Sequence, residues 1–481
     1  MINAVSYPLI EELDIGLAPL CVFEAFKDTK GCFFLDSGMD PHKLGRYSFI
    51  GINPFITFKS RGREITLNQE GRSERLTDDP FNILGNLLAK YRLECHSIPV
   101  PFCGGAVGYL SYDLCHFIEK LPSTARDDLL LPESYVGFYD TIIAFDNLEH
   151  KAFIISTGFP ELKQTQRIKR ATKRIDEIKS RLKSSQSTPD NSKLDPVFLH
   201  DSSPPIKAGF SREEYKAAVK KAKQYIIDGD IFEVNLSQRF ESELNIIPFE
   251  LYKRLRNFNP APFACYLGFD EVTVVSASPE RFLRLQGDSV ETRPIKGTRP
   301  RGRNNKQDQK LADELLSSSK DRAENIMIVD LERNDLGRVC RYGSVKVTEL
   351  AILEVYPTVF HLTSTIVGKL EMGKGAIDLL RATFPGGSIT GAPKVRAMDI
   401  IDELEPTRRS IYTGSIGYIG FNGNLDLNVA IRTFIIKGET AYFQVGGAVV
   451  YDSDPEDEYQ ETLHKAKAMI DSLRHSVASK G

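Results

Sequence analysis

The most unusual part of the chain is a loop-like segment, Phe384-Pro-Gly-Gly-Ser-Ile-Thr-Gly-Ala-Pro-Lys-Val-Arg-Ala-Met398. Its glycines and hydroxyl side chains predict a loop that leads into a helix, with Pro393 in the first turn. The start of such a helix directs free N–H groups and the positive end of the helix dipole toward an anion. The segment is not a Walker A motif, because Ala392 stands where that motif has Lys, so a carboxylate fits as well as a phosphate.

Two further segments carry candidates for acid and nucleophilic chemistry. In Ser276-Ala-Ser-Pro-Glu-Arg-Phe282, apolar neighbours predict a raised pKa for Glu280, which suits a general acid. A salt bridge between Glu280 and Arg281 is the simpler alternative. In Thr292-Arg-Pro-Ile-Lys-Gly-Thr298, burial predicts a lowered pKa for Lys296, so that the neutral amine could attack carbon. The alternative is an ordinary loop lysine.

Acidic side chains mark two predicted helices. In the helix predicted over 317–337, Glu324 precedes an apolar run, so its carboxylate needs either a divalent cation or a salt bridge to Lys320. In the segment 454–467, Glu458 and Glu461 are three residues apart and share one helix face. They fit a Mg²⁺ site, or equally the favourable placement of acids in a first helical turn.

Composition limits the class of protein. The chain has 481 residues, a formal net charge of −3 and 41% hydrophobic residues. These values favour a globular protein and give no basic surface for nucleic acid or an anionic membrane. The first residues lack a secretory signal pattern, and no apolar run is long enough to span a membrane. The seven cysteines are scattered, which favours a reducing cytoplasm.

The chain divides into two regions around a polar segment. Residues 1–160 are predicted to form mainly short strands, and residues 184–206 are the candidate linker. The second region, 207–475, opens with a capping box in which Ser211 caps a helix and Glu214 reaches back. Helices and strands then alternate without the βαβ rhythm of a parallel sheet, which predicts an α+β fold.

Taken together, these segments resemble the motifs of the chorismate-utilising enzyme family, which includes anthranilate, aminodeoxychorismate, isochorismate and salicylate synthases. The motifs in this chain are PIKGT (294–298), KDRAEN (320–325), GGSITGAPK (386–394) and EYQET (458–462), with GRYSFIG (45–51) and GGAVGY (104–109) in the first region. The resemblance implies two packed antiparallel β-sheets flanked by helices, with both regions in one compact body.

Within the family, two positions indicate the branch. Anthranilate synthases have Ala where this chain has Lys296, and the PIKGT form is typical of the aminodeoxychorismate branch. Isochorismate-type enzymes have a basic residue where this chain has Glu233, so activation of water at C2 is not expected. Many members of the aminodeoxychorismate branch have Gln there. Anthranilate formation and a non-catalytic ligand-binding protein are the competing hypotheses.

The resemblance also implies a role for each site residue. Glu324 and Glu461 would hold Mg²⁺, with Glu458 as a direct or water-mediated ligand, and the metal would bind the ring carboxylate of chorismate. The remaining assignments are Tyr412, Arg432 and the backbone at Gly446 and Gly447 for the enolpyruvyl carboxylate, Ser388, Thr390 and Gly391 for the ring pocket, and His361 beneath the ring. Ala448 stands where the family often has Gly.

The implied reaction uses chorismate and ammonia. Lys296 would attack C2 while Glu280 protonates the departing C4 hydroxyl, and ammonia would then displace the lysine by attack at C4. The product, 4-amino-4-deoxychorismate, leads toward 4-aminobenzoate and folate. No cysteine of this chain lies in a glutaminase motif, so the resemblance implies a separate glutamine amidotransferase subunit as the source of ammonia. Neither nucleic acid nor a membrane is expected as a partner.

Overall fold

The computed structural model describes residues 8–94, 98–185 and 205–474, except positions 15 and 17. Most of the predicted linker, 184–206, therefore lies outside the described residues. Within these ranges, no helix has the length and apolar character needed to cross a membrane.

The described residues form strands and helices throughout both regions. The strands are β1 (Leu9–Leu13), β2 (Cys32–Asp36), β3 (Tyr47–Gly51), β4 (Ile56–Arg61), β5 (Glu64–Gln69), β6 (Arg72–Thr77), β7 (Gly105–Leu110), β8 (Ser134–Tyr139), β9 (Thr141–Asp146), β10 (Lys151–Ser156), β11 (Ile206–Ala208), β12 (Glu233–Glu243), β13 (Phe263–Gly268), β14 (Thr273–Ser278), β15 (Arg281–Gln286), β16 (Ser289–Arg293), β17 (Ile295–Pro300), β18 (Lys346–Val355), β19 (Val359–Lys369), β20 (Gly391–Ala392), β21 (Ser415–Gly420), β22 (Leu425–Val429), β23 (Thr433–Lys437) and β24 (Thr440–Val449). The α-helices are α1 (Pro19–Glu24), α2 (Pro80–Lys90), α3 (Gln164–Ser185), α4 (Arg212–Ile227), α5 (Pro248–Phe258), α6 (Asn305–Ser317), α7 (Ser319–Gly337), α8 (Ala376–Thr383), α9 (Lys394–Leu404) and α10 (Pro455–Leu473).

Two 12-stranded antiparallel sheets form the centre of the fold. The first has the order β1-β10-β9-β3-β2-β13-β14-β23-β24-β12-β11, and β20 pairs with β12 outside that path. The second has the order β17-β19-β16-β15-β22-β21-β7-β8-β4-β5-β6, and β18 pairs with β19. Each sheet takes strands from both sides of residues 184–206, so the first and second regions of the chain share both sheets.

The inner faces of the sheets pack against each other through one large apolar cluster. It joins Phe49 and Val274 of the first sheet to Val107 and Leu283 of the second. A separate cluster, which includes Phe249 of α5, covers the outer face of the first sheet with α1, α3, α5 and α10. The predicted α+β fold with two packed antiparallel sheets flanked by helices is therefore confirmed.

Helix boundaries near the site follow the sequence signals. Ser211 Oγ accepts a hydrogen bond from Glu214 N at 3.3 Å, and Glu214 Oε2 accepts one from Ser211 N at 2.8 Å. The predicted capping box of α4 is confirmed. The helix predicted over 317–337 is α7, whose N-cap is Ser318. Both signals are local, which explains why they could be identified without the fold.

A buried ion pair ties together the elements that carry the site. Arg409 and Glu405 are 2% and 3% exposed, and the guanidinium donates two hydrogen bonds, of 2.7 and 2.9 Å, to the carboxylate. Arg409 also donates to the carbonyls of Asn235 in β12 and Ile389, while Glu405 accepts from Ser237 N. The pair therefore fixes the end of α9 against β12 and the turn before β20.

We predict that Glu405→Ala lowers the free energy of unfolding by about 3–5 kcal/mol, because it leaves the Arg409 guanidinium buried without its counter-ion. Urea unfolding followed by circular dichroism measures the change. The matched control is Glu403→Ala near the end of α9, which removes an exposed pair with Lys221 and should cost about 1 kcal/mol or less. Equal losses in the two variants would contradict a structural role for the buried pair.

Candidate active site

One cavity of about 940 Å³ lies where the two sheets meet α7 and α10. Its walls come from β12 and β24 of the first sheet, β17 and β19 of the second, the turn before β15, and the facing helices. This size suits a small organic ligand. The predicted site residues that border it are Glu280, Lys296, Glu324, His361, Ser388, Tyr412, Arg432, Gly446, Glu458 and Glu461.

Lys296 projects from β17 into the cavity and is 7% exposed. The next residue, Gly297, has φ +82, and a Cβ there would lie 3.1 Å from Leu315 and Asp321, so glycine lets β17 approach α6 and α7 closely. The Lys296 amine donates a hydrogen bond to Glu233 Oε1 in a buried ion pair.

The sequence predicts a lowered pKa for the Lys296 amine, and this prediction is wrong. Burial on its own lowers the pKa of this amine, but the attraction of Glu233 and then of Glu324 outweighs it, and the pKa is raised. The prediction failed because it considered only the neighbours of Lys296 in sequence. Glu233 is 63 residues away along the chain and reaches the amine through the packing of one sheet on the other.

Glu280 is buried and behaves as the sequence predicts. Burial raises the pKa of its carboxyl to about 7, opposed by hydrogen bonds from Ser388 Oγ at 2.6 Å and Ile295 N at 3.4 Å. The salt bridge to Arg281 does not form, because that guanidinium pairs with Asp426 and Glu291. A carboxyl with this pKa can donate a proton near neutral pH.

His361 lies on β19 and remains uncharged. Burial, helped by the nearby Arg432 and Lys465 cations, lowers the pKa of its imidazole to about 3. Nδ1 lies 2.9 Å from Thr298 Oγ1, which fixes the orientation of the ring. At neutral pH the side chain can therefore offer a neutral hydrogen-bonding ring to a ligand, but no positive charge.

Three carboxylates face the cavity from α7 and α10. Burial raises the pKa of Glu324 to about 7 and also raises that of Glu458, whereas Lys465 lowers that of Glu461. Glu458 Oε1 accepts from Ser453 Oγ at 2.6 Å, and its buried Oε2 has no hydrogen-bond partner among the described residues. A Cβ on Gly447 would lie 3.0 Å from that oxygen and 3.5 Å from Glu461 Oε1. Glycine thus keeps open the space beside both carboxylates.

The carboxylates do not form a closed metal cage. Within the described ranges, no group of three or more His, Cys, Asp or Glu side chains is arranged to hold a metal ion. Two lysines that sequence reasoning did not place in the site compete for the acids. Lys465 pairs with Glu461 at 2.7 Å, and Lys320 lies 3.9 Å from Glu324. The salt bridge between Glu324 and Lys320 is the alternative that the sequence left open, and the i,i+4 spacing of Glu461 and Lys465 also indicates their pair.

A partly buried cation lies near the start of β23. Arg432 is of intermediate exposure, and partial burial lowers the pKa of its guanidinium. Its side chain donates to Asn259 Oδ1 at 3.4 Å, and among the described residues it forms no salt bridge with a carboxylate. Its φ of +52 is unusual for a residue with a side chain. A partly buried guanidinium without a counter-ion favours binding of a ligand carboxylate.

Tyr412 lies near this cation, and Gly446 lies beside the Tyr412 hydroxyl. A Cβ on Gly446 would lie 3.0 Å from Tyr412 Oη and 2.7 Å from the carbonyl oxygen of Leu236, so the close approach requires glycine. Gly446, Ala448 and Asn235 border the cavity, and Asn235 is a further residue that the sequence did not single out. This part of the wall offers hydroxyl, amide and guanidinium groups to a ligand.

The Gly-rich segment 384–398 contributes less to the cavity than expected. Ser388 and Ile389 border it, but Thr390 and Gly391 do not, since they pack behind it against β12. The start of α9, where the sequence predicts an anion site, does not border this cavity. The N–H of Gly387 donates to Glu332, and the Lys394 amine binds Asp335 and two backbone carbonyls. Both groups therefore have partners inside the protein.

Residues 30–471 match the model of the family described as chorismate binding enzyme. The chain is 40% identical to anthranilate synthase component 1 of Acetivibrio thermocellus, over 95% of this chain and 93% of that protein. It is also 40% identical to aminodeoxychorismate synthase component 1 of Bacillus subtilis (strain 168), over 90% of each chain.

A crystal structure of anthranilate synthase component I from Streptococcus pneumoniae TIGR4 superposes with a TM-score of 0.77 at 33% identity, covering 94% of this chain and 97% of that one. The fold, the match over most of the chain and the identity to these relatives confirm the predicted resemblance. The chain belongs to the family of chorismate binding enzymes.

Proposed function

We propose that this chain converts chorismate and ammonia to 4-amino-4-deoxychorismate, with Lys296 as the covalent nucleophile. The observation that carries the proposal is the Lys296 amine on the cavity wall, which also holds Glu280, an acid of pKa about 7. An amine that occupies C2 of the ring would direct incoming nitrogen to C4. The relative named aminodeoxychorismate synthase component 1 supports this assignment, and the one named anthranilate synthase component 1 supports the competing one.

Substrate binding would use the two charged ends of the cavity. Chorismate carries two carboxylates. The Arg432 guanidinium, which has no carboxylate partner among the described residues, suits the enolpyruvyl carboxylate together with the Tyr412 hydroxyl. The ring would then lie between His361 and Ser388. The ring carboxylate would face Glu324, Glu458 and Glu461, which repel it unless a cation intervenes.

These acids fit a Mg²⁺ ion. Mg²⁺ binds through one or two carboxylates together with substrate oxygens and water, so a closed protein cage is not required. The unpartnered Oε2 of Glu458 and the space kept open by Gly447 support Glu458 and Glu461 as ligands, with Glu324 on the facing helix. When bound, the ion would draw electron density from the ring toward the ring carboxylate.

The reaction would then proceed through the side chains of this chain. Lys296 attacks C2, and Glu280 gives its proton to the C4 hydroxyl, which departs as water. Ammonia attacks C4, and the lysine leaves C2. Ser388 holds Glu280 by the 2.6 Å hydrogen bond, and the neutral His361 packs against the ring without adding charge.

A separate subunit would supply ammonia. The relatives carry the name component 1, which implies a second component. A glutaminase needs an activated cysteine with a histidine base. Within the described residues, every cysteine except the exposed Cys21 is buried, and burial raises the pKa of the Cys115 thiol, which lies next to His116. These features support a partner glutamine amidotransferase rather than a glutaminase site in this chain.

We predict that the pure chain, given chorismate, Mg²⁺ and ammonium salt, forms a product that becomes 4-aminobenzoate only when aminodeoxychorismate lyase is added. Glutamine should not replace ammonium unless a glutaminase subunit is present. In Lys296→Ala, formation of the 4-amino product should fall by on the order of 10³-fold or more, because the covalent route is lost. Chromatography of the products, with and without the lyase, measures both effects.

The control for Lys296→Ala is Lys207→Ala, an exposed lysine of β11 outside the cavity, which should keep full activity. Anthranilate as the product of the unaltered chain would favour the competing function. Full 4-amino product in Lys296→Ala would remove the lysine from the mechanism, and absence of all magnesium-dependent turnover would favour a ligand-binding protein.

We predict that kcat/KM, measured at constant free ammonia, falls as pH rises through about 7, because Glu280 must be protonated to act as an acid. The Ser388 hydroxyl stabilises the charged carboxylate, so Ser388→Ala should raise the Glu280 pKa and move this fall to higher pH. Ser344→Ala, outside the cavity, is the control. A fall at the same pH in Ser388→Ala would mean that another group controls it.

We predict that chelation of divalent cations abolishes turnover and that Glu461→Gln raises the Mg²⁺ concentration needed for half-maximal rate by about tenfold or more. Glu456→Gln is the matched control. It lies on the same helix but pairs with Arg212 outside the cavity, and its Mg²⁺ requirement should stay unchanged. Unaltered Mg²⁺ dependence in Glu461→Gln would remove that residue from the metal site.

A further inference from the structure

The guanidinium of Arg432 borders the cavity and, within the described part of the chain, has a single hydrogen-bond acceptor. That acceptor is Asn259 Oδ1, 3.4 Å from Nη1 of the arginine. An amide oxygen is neutral, so it orients the guanidinium without cancelling its charge. A carboxylate at the same place would form an ion pair and would compete with a ligand carboxylate. The identity of residue 259 therefore affects how strongly this end of the cavity binds an anion.

The amide of Asn259 has a fixed orientation. Its Nδ2 donates to the carbonyl oxygen of Ala277 at 3.0 Å, and the side chain is 8% exposed. A backbone carbonyl only accepts and a guanidinium only donates, so the NH₂ group must face Ala277 and the oxygen must face Arg432. Exchange of the two amide atoms would place donor against donor and acceptor against acceptor.

The position of Asn259 follows from the proline after it. A residue before proline disfavours the helical conformation, and α5 ends one residue earlier, with Asn259 at φ −138 and ψ 69. The Asn259 N–H still donates to the Leu255 carbonyl at 2.8 Å, which holds the residue to the last turn of the helix. Ala277 N in turn donates to the Arg432 carbonyl at 3.1 Å. One residue of β14 thus anchors both the amide of Asn259 and the backbone of the arginine that it orients.

We propose that Asn259 is a positioning residue for substrate binding, which directs the Arg432 guanidinium to the enolpyruvyl carboxylate and leaves its charge free for that ligand. The inference rests on the proposed function, which assigns Arg432 to this carboxylate. Asn259 acts through the arginine, because its oxygen repels a carboxylate and its NH₂ group is turned toward Ala277. The enolpyruvyl group does not change during the reaction, so its binding contributes to KM rather than to kcat.

The test measures kcat and the KM for chorismate in Asn259→Asp and Asn259→Ala, at constant free ammonia and saturating Mg²⁺. Both variants lose the hydrogen bond to Ala277, so the difference between them reports the charge placed on Arg432. In Asn259→Asp, KM should rise by about tenfold or more while kcat stays within about threefold. Asn259→Ala removes the orienting oxygen without adding charge, and its KM should lie between those of the unaltered chain and Asn259→Asp.

A purely structural role predicts the opposite order. If Asn259 only ended the helix, aspartate would be the milder change, because it has the shape of asparagine, and Asn259→Ala would have the higher KM. That order, an unchanged KM in Asn259→Asp, or a loss confined to kcat overturns the proposal. If Asn259→Ala does not fold, as judged by its melting temperature, Asn259→Ser takes its place as the neutral variant, with the same expected order.

A double-mutant cycle tests whether the effect passes through Arg432. In the Arg432→Gln background the guanidinium is absent, so Asn259→Asp should change KM, or the Kd for chorismate from calorimetry, by less than about twofold. A tenfold rise in that background overturns the proposal. The matched control is Asn257→Asp, which makes the same charge change at an exposed position of α5 outside the cavity and should leave KM normal. An equal rise in Asn257→Asp would assign the effect to net charge and also overturns the proposal.

Failure of this inference can be distinguished from failure of the proposed function. Chorismate is the substrate of both competing reactions, so its KM can be measured with whichever product forms. If anthranilate forms and the Asn259 variants follow the expected order, the proposed product is wrong and the role of Asn259 stands. If the 4-amino product forms and requires Lys296, but Asn259→Asp keeps a normal KM, the function stands and the role of Asn259 falls.

Discussion

The buried ion pair between Arg409 and Glu405 is the interaction on which the site geometry depends. It joins the end of α9, the strand β12 and the turn that carries Ser388 through five charge-assisted hydrogen bonds. Removing one partner would leave a charge without compensation in a region that water does not reach. The same contacts hold β12 in the register that places Glu233 behind the cavity wall, and so they fix the partner of Lys296.

The cavity holds acidic groups and a basic amine close together in a poorly solvated space. Burial favours the protonated forms of Glu280 and Glu324, while the acids around Lys296 favour its charged form. A low local dielectric strengthens each of these effects, so the protonation state of one group depends on its neighbours. This coupling allows an acid of pKa about 7 and a charged amine to occupy the same cavity. Binding of a cation or an anionic ligand would therefore shift the pKa values of all these groups.

The parts of the site that could be predicted are those encoded by local sequence. Burial of Glu280 was foreseeable from its apolar neighbours, and the α4 capping box was foreseeable from the spacing of Ser211 and Glu214. The rise in the Lys296 pKa was not foreseeable, because its partner Glu233 is distant in sequence. The positions of Thr390 and Gly391 were also not foreseeable, since hydrogen bonds to β12 turn that backbone away from the cavity.

The sequence by itself determined the motifs, the family resemblance and the α+β class, because capping signals and short motifs are local properties of the chain. It also determined which reactive residue types are present. Only the tertiary structure decided that strands from both regions share each sheet and that Lys296 meets Glu233. The physical reason is that pairing between distant strands and the electrostatics of buried groups depend on packing of residues far apart in sequence, which no local pattern records.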